Sequence, residues 1–237
     1  MTTLYRKICW VVLFSISMAF LESAVVVYLR ELYYPEGFSF PLITLSKKII
    51  VTEMFRELAT LIMIISIAFI ATANKNERFL WFILVFGIWD IFYYVFLKLL
   101  IGWPESFLTW DVLFLIPSTW VGPVLGPVLN SVTMICIAVL ILFTSAKGYN
   151  AKLNNFDWLL LIVGSVNVII AYTEEYFRYM IKEFSLPDMF SFSTNELVIS
   201  HASKFIPEQF NWLIYISGQI LFFTFIYSYF RRKFCKK

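Results

Sequence analysis

The chain has a single histidine, His201, and only three cysteines, and these scarcities exclude several kinds of site. One histidine cannot provide bis-histidine haem ligation or the usual multi-histidine zinc and di-iron motifs. Cys9, Cys136 and Cys235 are far apart and form no C-x-x-C pair, so neither a disulfide framework nor a thiolate metal site is indicated. No G-x-S-x-G, P-loop or H-E-x-x-H motif occurs. We therefore predict no cofactor and no resident metal.

Charge is scarce as well. Charged residues make up 15% of the chain and apolar residues 60%, with 20% aromatic, whereas soluble domains have about 25% charged and about 45–50% apolar residues. The net charge of +3 is small, and the basic residues cluster at the ends of hydrophobic runs, so nucleic-acid binding is not indicated. This composition is typical of an integral membrane protein.

Several hydrophobic runs are long enough to cross a hydrocarbon core about 30 Å thick, which takes about 20 helical residues. The first follows Arg6 and Lys7 but contains Glu22 and offers no cleavage site, so we interpret it as a retained span rather than a signal peptide. We predict one all-α domain, residues 1–237, that forms a polytopic integral membrane bundle of six transmembrane helices. The predicted spans are 8–28, 54–73, 79–101, 121–143, 157–179 and 209–230.

A short apolar segment, residues 110–117, precedes the fourth predicted span and is too short to cross the membrane. Pro117 ends or kinks a helix, and Gly122 and Gly126 weaken helix formation in the residues that follow. We therefore predict a short interfacial or re-entrant helix that begins near Trp110, and a break in helical hydrogen bonding before the fourth span.

Lysines and arginines in the loops indicate the orientation. With the N-terminus in the cytoplasm, eleven basic residues lie on the cytoplasmic side and eight on the other, and the basic C-terminal tail strengthens this bias. We predict a multi-pass protein of a bacterial-type inner (plasma) membrane with both termini cytoplasmic. Of the sixteen acidic residues, only Glu77 and Asp157 then lie on the cytoplasmic side.

Some of the remaining acids lie inside the spans, where a charge costs about 2.5–3.5 kcal/mol at a helix centre. Residues three or four apart share a helix face, and on this basis five of the six spans place a polar stripe at a similar depth. We predict that these stripes meet in a ligand, ion or proton site near the extracytoplasmic face. Its candidate residues are Glu22, Arg56, Glu57, Asp90, Tyr94, Lys98, Glu174, Glu175 and Arg178.

Each of these residues also has a purely structural interpretation. Glu174 and Arg178 suit an ion pair at the interface, and Lys98 suits a snorkelling side chain. The candidate set holds five acids against three bases, so two acids would need a proton or a bound cation. Asp90, which lies near the middle of its span, should face the interior and pair with Tyr94, Glu22 or Glu174.

Three functions remain open. The first is a small membrane protein that binds or conducts a cation, a proton or a small polar solute at the acidic site. The second is a non-catalytic membrane subunit or assembly factor of a larger complex. The third is an enzyme for a lipid-linked or lipid headgroup substrate at the outer interface, which needs a lateral opening to lipid. Six spans leave little room for a full transport pathway, so we expect a homodimer or partner membrane subunits besides the lipid bilayer.

Overall fold

The computed structural model describes residues 2–190 and 196–234 and contains, within them, six helices long and apolar enough to cross a membrane. The helices and strands follow one another as α1 Thr2–Tyr33, α2 Lys47–Ala71, α3 Lys75–Ile101, β1 Trp110–Phe114, β2 Trp120–Pro123, α4 Leu125–Ala146, α5 Asn155–Met180, α6 Leu186–Phe190, α7 Glu196–Ala202 and α8 Trp212–Phe234. The prediction of a helical multi-pass membrane protein with six spans is compatible with this arrangement, although α2 begins seven residues earlier and α4 four residues later than predicted.

Successive spans run in opposite directions, which gives the bundle two distinct ends. We call the end where α1 and α3 finish, and where α2, α4 and α8 begin, the hairpin side. The opposite end, where α1 begins and α8 finishes, is the termini side. Glu77 and Asp157 belong to the termini side, because each lies in the first turn of a helix that starts there.

α3 is the central helix of the bundle. It packs against α1, α2 and α4, while α5 packs mainly against α8. Gly164 and Gly218 let α5 and α8 approach closely, because a Cβ on Gly218 would lie 2.8 Å from the carbonyl oxygen of Gly164. Small residues at such crossings are typical of helix association in membranes. α3 therefore contributes side chains to the contacts with α1, α2 and α4.

The segment before α4 is a β-hairpin, so the prediction of a short helix there is wrong. β1 and β2 pair antiparallel, with Asp111 opposite Gly122 and Val112 opposite Val121. Trp, Val and Phe favour an extended backbone, and each strand satisfies the other's hydrogen-bonding groups. The predicted break in helical hydrogen bonding is confirmed, since α4 begins at Leu125.

The hairpin is re-entrant. Phe114 stacks on Phe86 with ring centroids 6.2 Å apart, and Phe86 lies fifteen residues before the end of α3, ~22 Å along a helix that rises ~1.5 Å per residue. The hairpin turn therefore reaches about halfway into the bundle. Non-helical backbone at such depth is tolerated only where protein or a cavity covers it.

Candidate binding cavity

A cavity of about 450 Å³ is lined by all six spanning helices and the hairpin, with the hairpin side as its polar end. Its volume falls within the roughly 300–1,000 Å³ of small-molecule sites. In the described part of the chain, five carboxyl side chains and two guanidinium groups line it. The carboxyl groups are those of Glu22, Glu53, Glu57, Asp90 and Asp111, and the guanidinium groups are those of Arg30 and Arg56.

Arg56 joins two of these acids. It forms ion pairs with Glu22 of α1 and with Glu53, which lies one turn earlier on α2. The Glu53 pair has an N–O distance of 2.8 Å. Thr60 donates a hydrogen bond to Glu22 at 3.3 Å. These polar side chains of α2 therefore face the interior of the bundle, and Glu53 is buried with them.

Arg30 and Asp111 form a second ion pair, with Arg30 Nη2 3.3 Å from Asp111 Oδ1. Tyr94 donates to the other carboxyl oxygen at 3.2 Å. The guanidinium of Arg30 also lies over the ring of Trp103, 3.7 Å from its centroid. Burial raises the pKa of Asp111, which lies outside the spanning helices, to about 6, and Arg30 opposes this shift.

Glu57 supports the re-entrant hairpin. Both of its carboxyl oxygens accept from the backbone N–H of Leu115, at 2.9 and 3.1 Å. Leu115 directly follows β1, where the strand ladder ends and a backbone donor would otherwise be left without a partner. Glu57 therefore has a structural task as well as a place in the cavity wall.

Asp90 faces the interior and is 9% exposed, as predicted, but its partner is a different one. Ser131 of α4 donates a hydrogen bond to Asp90 Oδ2 at 2.7 Å. The predicted partners are engaged elsewhere, Tyr94 with Asp111, Glu22 with Arg56 and Glu174 with Arg178. A neutral hydroxyl leaves the charge of Asp90 without a compensating cation.

Four of the nine predicted site residues lie outside the cavity lining. Lys98 is exposed and donates to the carbonyl oxygens of Gly102 and Pro104, at 2.9 and 2.8 Å. It therefore caps the end of α3, where unpaired carbonyl groups attract a cation.

The acidic pair of α5 lies outside the cavity as well. Glu174 pairs with Arg178, whose side chain is 69% exposed. Glu175 accepts from the backbone N–H groups of Glu208 and Gln209, at 2.8 and 3.1 Å, just before α8. Tyr172 lines the cavity, and Glu174, two residues further along α5, is turned by ~200° from it. These acids therefore hold the entry to α8.

A network of uncharged side chains continues from the cavity wall toward α8. Asn130 of α4 donates to Tyr172 at 2.8 Å, and Tyr215 donates to Asn130 at 3.1 Å. Gln219 donates to Asn130 at 2.5 Å and accepts from Thr133 at 3.1 Å. This network satisfies its own polar atoms without any charge, and it holds α4 against α5 and α8.

The opposite half of the cavity is apolar. Its lining there comes from α3, α4, α5 and α8 and consists of Phe79, Phe82, Ile83, Phe86, Met134, Ile137, Leu161 and Phe222. Phe79 and Tyr94, both in the lining, are fifteen residues apart on α3, or ~22 Å along its axis. The cavity thus extends over most of a hydrocarbon core about 30 Å thick.

Sequence reasoning missed Arg30 and Asp111 as members of the cluster. Trp110-Asp111 repeats the dipeptide Trp89-Asp90, and both aspartates line the same cavity. The repeated dipeptide was the available signal for Asp111. Arg30, three residues before the end of α1, gave no signal beyond its charge, because its partner depends on the fold of the hairpin.

No group of three histidine, cysteine or acidic side chains within residues 2–190 and 196–234 is arranged to hold a metal ion. In comparisons with protein-family models, curated proteins and solved structures, the chain matches none of them.

Proposed function

We propose that the chain is a membrane protein that binds an organic cation in this cavity. The observation that carries the proposal is the imbalance of charge around the cavity: five carboxyl groups face two guanidinium groups in the described lining. Arg56 and Arg30 already serve Glu22, Glu53 and Asp111. Glu57 and Asp90 have no cationic partner within 4.0 Å in the described ion pairs, so a bound cation would balance their ionised forms.

Aromatic walls favour an ammonium group over a bare metal ion. Trp89, Tyr93, Phe114 and Tyr172 line the cavity beside the acids, and the faces of aromatic rings attract cations within ~6 Å. Recognition of ammonium ligands by aromatic cages is a common use of this interaction. The acids supply the charge, and the rings replace the water that an organic cation sheds.

The direct test compares the binding of organic cations with the binding of organic anions. The purified full chain in lipid nanodiscs should bind ethylammonium or tetramethylammonium, measured by titration calorimetry, and should not bind ethyl sulfate or acetate. Glu174→Gln, which removes an acid outside the cavity, should bind as tightly as wild type. Equal binding of the ammonium and sulfate ions, or binding of neither, would overturn the proposal.

The proposed orientation places the hairpin side of the bundle outside the cytoplasm, in a bacterial-type inner membrane. The excess of basic residues near the termini supports it, eleven against eight. Topology reporters fused at residue 237 and between residues 185 and 200 should give opposite signals. Matching signals would reject the orientation, and they would not test the proposed cation site.

A further inference from the structure

The cavity has two chemically different halves and an open side, and these features bear on the class of ligand. α2 packs against α3 and α1, and α5 packs against α8 and β2, whereas no extensive packing joins α2 to α5 in the described residues. Ser165 and Ile169 of α5 line the cavity and are exposed at the same time. The cavity is therefore open toward the surrounding bilayer along α5.

From the hairpin side inward, the cavity is first polar and then apolar, which is the order of headgroup and hydrocarbon chains in a lipid. The acids and Arg56 lie toward the hairpin side, while Phe79, Phe82 and Leu161 line the half toward the termini side. A small hydrated cation would use only the first half. A hydrocarbon chain that enters from the bilayer along α5 never meets water, so it keeps the roughly 0.8 kcal/mol per CH₂ group that burial away from water gives it.

Two hydrogen-bond donors lie between the halves without a partner in the described part of the chain. They are the buried indole N–H groups of Trp89 and Trp120, and both residues line the cavity. A buried donor that lacks an acceptor costs about 1–3 kcal/mol. Because the protein shields both nitrogens, each ring must turn before an ester, phosphate or hydroxyl oxygen next to a headgroup accepts from it, whereas a simple alkane offers no acceptor at all.

We propose that the ligand is an aminolipid of the surrounding bilayer, which enters between α2 and α5. Its ammonium group would lie beside Asp90 and Glu57, its oxygens near the two indoles, and one hydrocarbon chain in the apolar half. A cavity of about 450 Å³ holds the headgroup and part of one chain, while the rest of the lipid stays in the bilayer. This inference rests on the proposed cation site and specifies its ligand.

The test separates the headgroup from the chain. Ethylammonium and dodecylammonium are titrated into the full chain in phosphatidylglycerol nanodiscs, whose lipid carries no ammonium group, and Asp90→Asn serves as the reference for partitioning into lipid alone. We expect dodecylammonium to bind at least tenfold more tightly than ethylammonium to wild type, and Asp90→Asn to weaken the binding of both ions. Equal dodecylammonium binding by wild type and Asp90→Asn would be partitioning into lipid only and would overturn the inference.

A pair of methionine variants locates the hydrocarbon chain of the ligand. Met134→Trp fills the apolar half of the cavity, and Met63→Trp makes the same change on the exposed face of α2. Met134→Trp should weaken dodecylammonium binding about tenfold and leave ethylammonium binding unchanged, while Met63→Trp should change neither. If the two variants bind dodecylammonium equally, its hydrocarbon chain lies outside the apolar half and the inference fails. The proposed cation site would be unaffected by that result.

A third arm identifies the source of the amine. Native mass spectrometry of the chain released from nanodiscs should show retained phosphatidylethanolamine in preference to phosphatidylglycerol at equal content. Retention of neither, with tight dodecylammonium binding, would replace the bilayer lipid with a free amphiphile. Failure of both ammonium ions to bind would instead reject the proposed function itself.

Discussion

Two buried acidic centres lie at opposite ends of the same bundle, and they solve the cost of burial in different ways. On the termini side, Asp157 is 0% exposed and Arg232 donates to both of its oxygens, at 2.7 and 2.6 Å. Asn154 completes a capping box with Asp157 at the start of α5. One acid meets one base there, and the hydrogen bonds of the carboxylate are made within the chain.

The cavity on the hairpin side lacks this balance. Its five acids in the described lining share two arginines, and Asp90 has only the hydroxyl of Ser131 within hydrogen-bonding distance among the described contacts. A centre that served only packing would more simply come out neutral, as that of Asp157 does, because an uncompensated buried charge is strongly destabilising. The comparison separates an acid that holds helices together from acids that are available to a ligand.

The largest expected effect is on the termini side. Asp157→Ala should lower the free energy of unfolding by about 3 kcal/mol, since it leaves Arg232 without its partner and removes the capping box. Thermal unfolding in detergent, followed by tryptophan fluorescence, measures the loss. Asp157→Asn keeps the capping geometry and should lose less. Ligand binding at the remaining folded fraction should be unchanged, and a wild-type melting curve for Asp157→Ala would contradict the proposed role.

Asp90→Asn should show the reverse pattern. The amide keeps the shape of the side chain, can accept from Ser131 and removes a buried charge, so the melting temperature should not fall below that of wild type. Ethylammonium binding should weaken by about tenfold to a hundredfold, which corresponds to the roughly 1.5–3 kcal/mol of a hydrogen bond to a charged group. Calorimetry in nanodiscs measures it. A destabilised variant with unaltered affinity would place Asp90 with Asp157 as a structural acid.

Glu57 lies between the two kinds, because it lines the cavity and also holds the hairpin. Glu57→Ala leaves the N–H of Leu115 without its acceptor, which should cost about 1–3 kcal/mol. Glu57→Gln retains an acceptor oxygen and should cost clearly less, while it still weakens ammonium binding. Hydrogen exchange at the amide of Leu115 reports the hairpin directly. Equal exchange in Ala, Gln and wild-type proteins would show that the carboxylate does not hold this turn.

The sequence predicts the helical spans and the interior acids of α1, α2 and α3 well for a physical reason. A charge within twenty apolar residues is costly wherever it points, so it must turn toward polar partners, and Glu22, Arg56 and Asp90 all do. The same reasoning fails for Glu174 and Arg178, because a charge near a helix end can reach water or a loop without entering the bundle. Periodicity alone does not distinguish these two positions.

The hairpin was harder to predict than the spans. Residues 110–117 are apolar and too short to span, and a helix and a strand are both consistent with such a run. What decides is the second strand, β2, since Val121 and Gly122 pair with Val112 and Asp111. That pairing also brings Asp111 to Arg30, so the missed fold element and the missed ion pair have one cause.

The smallest expected effect concerns pH and Asp111, whose charge Arg30 partly cancels. Because burial raises its pKa to about 6, against the opposing effects of Arg30 and Tyr94, the carboxyl group is mostly protonated at pH 5 and mostly ionised at pH 7. Affinity for an ammonium ion should therefore rise as the pH rises through this range. Since Arg30 lies beside Asp111, the ionisation of Asp111 should contribute only about a two- to fourfold rise in affinity.

Asp111→Asn isolates this contribution, because Glu57 and Asp90 remain in both proteins. Calorimetric titrations with tetramethylammonium, which itself does not titrate, should give a shallower pH profile for the variant than for wild type. Parallel profiles would show that the ion pair with Arg30 hides Asp111 from the ligand and belongs with the neutral pair of Asp157 and Arg232.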